Sequence, residues 1–167
     1  MDHLWAPWRL SYVAAEKPTE PPGDGPEHCF VCRGLAAGDD RSHLILLRAE
    51  FCAVVLNKFP YNNGHLMVVP RAHRANLTEL SDEELLEIQR TMQRMIGLLE
   101  LAMKPDGFNC GLNLGRAAGA GLPGHLHWHI VPRWNGDTNF MPVLGNAKVM
   151  VQSLEASYDL LSSILAT

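Results

Sequence analysis

The sequence predicts an α+β fold: a mainly antiparallel five-stranded sheet with one long helix and a C-terminal helix. Three observations predict it. Short runs rich in β-branched and apolar residues, each closed by turn residues, lie on both sides of one helical stretch. That stretch opens on a capping box and carries a single apolar stripe. Strands, then a long helix, then strands is the order of an antiparallel sheet with its helices kept to one part of the chain.

The elements follow in order. Residues 1–27 read as an N-terminal arm, with two tryptophans in LWAPWRLSYV, leading into KPTEPPGDGPE, whose four prolines and two glycines make a loop. The arm is too short for a core of its own, so residues 1–167 are expected to form a single domain. His43–Leu47 and Phe51–Leu56 read as the first two strands, and Pro60 with Asn62-Asn63-Gly64 as the turn after them. GHLMVVP is the third strand, closed by Pro70. Ser81-Asp82-Glu83-Glu84 starts the long helix, in which Leu85, Ile88, Met92, Met95, Ile96, Leu99 and Ala102 recur at three- and four-residue steps. Lys104-Pro105-Asp106-Gly107 ends it. Phe108–Leu114 is the fourth strand, Gly115–Gly124 a glycine-rich loop, and a final helix is expected near Ser153–Leu165.

Composition narrows the function. A net charge of −4 argues against a general nucleic-acid binder, which needs a basic face. No apolar run approaches the ~20 residues of a membrane-spanning helix, and the first residues lack a signal peptide's basic and apolar segments. A cytoplasmic protein without membrane or nucleic-acid partners is expected. Four cysteines, Cys29, Cys32, Cys52 and Cys110, are too few and scattered for a disulfide scaffold. Cys52 and Cys110 read as core residues, His43 as structural, His3 and His28 as surface residues.

The segment Gly124-His125-Leu126-His127-Trp128-His129-Ile130-Val131 places three of eight histidines at two-residue intervals. A helix would scatter them. A strand puts all three on one face, ~6.6 Å apart, and Leu126, Trp128 and Ile130 on the other. The spacers are large and apolar, as a core-facing row should be, so the segment reads as a fifth strand with a histidine face. Clustered imidazoles can act as nucleophile, base or metal ligand. The preceding NLGRAAGAGLPG offers backbone amides and little bulk, which suits phosphate oxygens. Together they point to attack on phosphorus.

These residues resemble the histidine-triad signature of the HIT superfamily of nucleotide hydrolases and transferases. LNKFPYNNGHLMVVPRAH is similar to that family's nucleotide-binding strand pair and HIVPRWNGDTNF to its segment after the triad. The LWAPWR start and WNGDTNFMPVL look most like the diadenosine-tetraphosphate phosphorylase and hydrolase branch. The resemblance implies His127 as nucleophile, with His129 and the loop amides stabilising phosphate charge and His65 supporting the triad. It places Asn57 on the ribose and Asn113 with the loop residues Gly119 and Gly121 at the phosphates. It implies cleavage of dinucleoside polyphosphates at the α-phosphate through a nucleotidyl-histidine intermediate. Purine nucleoside phosphoramidate hydrolysis, or nucleotide binding without catalysis, are the alternatives. Gly121-Leu122-Pro123-Gly124 lacks the serine or glutamine that often serves the leaving group, which favours an anionic polyphosphate over an amine. A homodimer is also implied.

Cys29-Phe30-Val31-Cys32 can chelate one metal but needs two more ligands, for which His73 and His125 are candidates. Several HIT proteins show a similar set around a structural Zn2+, so zinc is expected here, with no cofactor required for the chemistry. A redox pair or two plain thiols are the competing readings.

Overall fold

The computed structural model describes residues 25–145 and 148–166; the tryptophan-bearing arm falls outside them. Five strands, β1 (Ile45–Arg48), β2 (Cys52–Leu56), β3 (Leu66–Pro70), β4 (Gly107–Leu112) and β5 (Trp128–Arg133), form one sheet in the order β1-β2-β3-β5-β4. Every neighbouring pair is antiparallel. The α+β expectation holds.

Among the described residues four α-helices accompany the sheet: α1 (Phe30–Ala37), α2 (Asp82–Met103), α3 (Met141–Gly145) and α4 (Leu154–Leu165). At α2, the Ser81 hydroxyl accepts from the Glu84 amide, and the Glu84 carboxylate accepts from the Ser81 amide. Two otherwise orphaned donors are thereby satisfied. The helix ends at Lys104, which takes the left-handed turn (φ 48°) more often filled by glycine. Ser153 caps α4 by accepting from the Ala156 amide.

The central strands β2 and β3 are buried at every position. Their residues divide between two apolar clusters, one on each face. Leu56, Leu66 and Val68 join Ile88, Met95 and Leu99 of α2 and Leu161 of α4. Leu126, Trp128 and Ile130 complete that cluster. On the other face Val55, Met67 and Val69 pack with Cys29 and Val31 at the start of α1. Burying each such side chain is worth about 1.5–3 kcal/mol, so both faces hold the sheet's register.

Three expectations need correcting. The histidine segment is a strand only from Trp128 onward; His125 lies in a bend, and Leu126 and His127 lead into the strand without belonging to it. The ladder between β3 and β5 ends at Val68 and Trp128, and the Leu126 amide donates to the Arg74 carbonyl at 2.7 Å instead. Cys110 is exposed rather than in the core, because β4 lies at the sheet's edge. Helix α1 was not foreseen: Cys29 caps it without a side-chain hydrogen bond, and only Val31 and Gly34 are buried. Among the described residues no helix is long and apolar enough to cross a membrane.

Candidate active site and metal centre

The alternation expected of an extended segment survives the late start of β5. Leu126, Trp128 and Ile130 pack under α2, while His125, His127 and His129 turn to the opposite face. All three rings are buried, the most open being His129 at 8% exposure.

Backbone groups of known polarity fix the protons of these rings. The Tyr61 amide donates to His65 Nδ1 at 3.0 Å, so that nitrogen carries a lone pair. Burial, with the nearby charges of His129, His127 and Lys148, pushes His65 down to about 3, so the ring is neutral and its proton sits on Nε2. Nε2 donates to His129 Nδ1 at 2.9 Å. His129 is likewise held neutral, down to about 4, chiefly by burial and then by His127. Its proton therefore sits on Nε2, a buried donor with no partner among the described residues. His127 is set by a carbonyl: Nδ1 donates to the His125 oxygen at 2.8 Å, which leaves Nε2 with the lone pair when the ring is neutral. The rings of His127 and His129 meet edge to face, 5.0 Å between centroids. A lone pair and a fixed N–H donor thus stand side by side. That pair suits a nucleophile beside an oxyanion donor.

The first histidine faces elsewhere. His125 Nε2 donates to the Pro70 carbonyl at 2.8 Å, so Nδ1 is free to ligate. It lies 3.3 Å from the Cys29 sulfur and 3.5 Å from that of Cys32. His73 Nδ1 sits 3.3 Å from Cys32 Sγ. The four donor atoms lie within 4.8 Å of one another. Two sulfurs and two imidazole nitrogens converging on one point, with the His125 tautomer set by a carbonyl, fit a closed tetrahedral metal site. Cys29 and His125 are buried, and burial with the neighbouring Cys29 pushes the Cys32 thiol up to about 12. A metal ion would reverse that by taking the thiolate.

Other predicted residues are placed less tightly. Asn57 sits beside His65, its side-chain nitrogen 3.3 Å from His65 Nδ1 and its oxygen accepting from the Phe59 amide. Asn113 is half-buried just beyond β4. Gly119 and Gly121 are exposed in the loop, Gly119 in a left-handed conformation (φ 89°) closing a short turn over Arg116–Ala118. His43 lies against Gly34, where an added Cβ would come within 3.1 Å of it. His28 is exposed. Sequence reasoning missed Tyr61, whose amide fixes the His65 tautomer and whose ring lies 4.7 Å from His65 and 5.6 Å from His129. Nothing in its flanking residues signals that role.

Residues 40–136 match the HIT domain. The chain belongs to the HIT domain family. A Mycobacterium tuberculosis AP-4-A phosphorylase is 37% identical over 163 residues, covering 98% of this chain and 84% of the relative. The Schizosaccharomyces pombe adenosine 5'-monophosphoramidase hnt1 is 34% identical over 107 residues, 64% of this chain and 75% of the relative. Among solved structures, a Zn-bound histidine triad family protein from Mycobacterium smegmatis aligns with a TM-score of 0.68 at 26% identity, covering 85% of this chain and 96% of that one. The match to the HIT domain spans Asn57, His65, His73, Asn113 and all three triad histidines, while Cys29 and Cys32 lie upstream of it.

Proposed function

We propose that this HIT protein cleaves dinucleoside polyphosphates at the α-phosphate through a nucleotidyl-histidine on His127. One observation carries the reading: the His125 carbonyl holds the Nδ1 proton of His127, leaving Nε2 as the nucleophile. In the first step the Nε2 lone pair forms a bond to the α-phosphorus, and the bond to the bridging oxygen breaks with its electrons on the leaving polyphosphate. The orphaned His129 Nε2–H donates to a non-bridging phosphate oxygen as charge builds there. Water or inorganic phosphate then displaces the histidine. The name of the mycobacterial relative, similar along nearly the whole chain, supports a dinucleoside tetraphosphate as substrate. Gly121-Leu122-Pro123-Gly124 offers no side chain to protonate a departing amine, which also favours an anionic leaving group.

In this reading His65 keeps His129 in its donor tautomer, and Asn57, Asn113, Gly119 and Gly121 bind the nucleotide. Cys29, Cys32, His73 and His125 hold a structural Zn2+, which neutralises the two thiolates and pins the start of α1 to the triad; no chemical step passes through it. A second copy of the chain pairs along the open edge of β4. Sedimentation equilibrium checks that pairing, and a single-chain mass refutes it.

The test of function is product analysis with diadenosine tetraphosphate, with and without inorganic phosphate. ADP plus ATP in the presence of phosphate marks a phosphorylase, AMP plus ATP a hydrolase. His127→Asn lowers turnover by more than about a thousandfold while the thermal midpoint stays close to that of the parent. Retained turnover in that variant removes His127 as nucleophile.

A further inference from the structure

The histidine face of the sheet does not stop at the triad. Val131 and Arg133 follow His129 at two-residue steps on β5, so they share its face. Across the ladder, Gly111 stands opposite His129 and Asn109 opposite Val131. At Gly111 an added Cβ would meet nothing within 4 Å, so the way from His129 along β4 is open. It leads to a cavity of about 220 Å³ lined by Tyr61, Asn62, Asn109, Val131, Arg133 and Lys148. Tyr61 belongs to both places, since its ring also lies 5.6 Å from that of His129.

This lining is cationic. It contains a lysine and an arginine and no carboxylate. Asp137 pairs with Arg133 at 2.6 Å, and Arg133 Nη1 also donates to Asn109 Oδ1 at 2.7 Å, so the guanidinium is held in place. The Lys148 ammonium donates to the Tyr61 carbonyl, which leaves further N–H donors on the same nitrogen. Two cations against one carboxylate leave a net positive charge. Along β5 the step from His129 to Val131 is ~6.6 Å. An uncharged nucleoside gives these two cations nothing to pair with, whereas a chain of phosphates leaving from His127 does.

We propose that the trough formed by Tyr61, Asn109, Arg133 and Lys148 binds the distal phosphates of the leaving polyphosphate, and that Lys148 selects for chain length. This rests on the reading of His127 as the point of attack. The site is too small for a nucleoside together with its phosphates, so it takes the anionic chain and leaves the second base outside.

Two measurements on Lys148→Ala and Lys148→Arg test it. In the first, KM is compared for diadenosine tetraphosphate and for adenosine phosphoramidate, whose leaving group has no phosphate. The proposal expects Lys148→Ala to raise KM for the tetraphosphate about tenfold, and for the phosphoramidate by less than about twofold. Lys148→Arg should restore most of the difference. Equal changes on both substrates, or none, overturn it. The second measurement is calorimetric titration with inorganic tripolyphosphate, which needs no turnover. Binding to the parent that falls about tenfold in Lys148→Ala supports the trough, and binding indifferent to the lysine overturns it. If the parent cleaves neither nucleotide, the catalytic reading fails while the titration still decides the trough.

Discussion

His65 donates to His129 Nδ1 and accepts the Tyr61 amide, and it is fully buried. Its folded value of about 3 lies below the ~6.5 of an exposed imidazole. As pH falls below ~6.5 the unfolded chain takes up a proton that the folded chain refuses, so stability drops until the folded value is reached. At pH 5 the loss from this residue alone is about 2 kcal/mol relative to neutral pH. Urea unfolding of the parent and of His65→Asn at pH 7 and pH 5 measures it: the parent should lose more stability than the variant over that interval. Equal losses would assign the sensitivity to other groups. The triad histidines themselves were legible from spacing and apolar spacers. The direction of each proton was not, because it depends on the Tyr61 amide and on the carbonyls of Pro70 and His125, which only the folded backbone brings into range.

At the scale of elements, α2 was the most legible part of the chain, because caps and apolar periodicity are local. The capping box is formed as read from Ser81 and Glu84. Ser81→Ala should cost about 1 kcal/mol, seen as a lower urea midpoint with an unchanged slope. A midpoint equal to the parent's would mean that packing against the sheet alone sets the helix start. Strands β2 and β3 were legible for the same reason. Helix α1 was not, since it has neither a side-chain cap nor a long stripe and is held by contacts with residues distant in sequence. The late start of β5 also escaped, because a ladder's end depends on its partner: pairing with β3 stops at Val68, and Arg74 takes over the Leu126 amide. Cys110 misled because its chemistry says core while its strand lies at an edge.

At the scale of the molecule, the proposed zinc set joins three distant stretches: the start of α1, the segment after β3 and the lead-in to β5. The spacing of Cys29 and Cys32 hinted at a chelate, but only the fold brings His73 and His125 to it. A cross-link over so long a span should stabilise the folded chain by the binding free energy of the metal. Elemental analysis should find one zinc per chain in the parent and none in Cys32→Ser, with a lower thermal midpoint for the variant. One zinc retained after that substitution would place the metal elsewhere.

His125 has a place in both halves of this arrangement. Its imidazole points at the two sulfurs, while its own carbonyl, on the same residue, grips the proton of the ring proposed as nucleophile. Oxidising the thiols, or stripping whatever ion they clasp, would therefore loosen a residue whose main chain orients the His127 ring. Chemical damage at a seemingly ornamental clasp would be felt at the seat of reaction without any message crossing the hydrophobic interior.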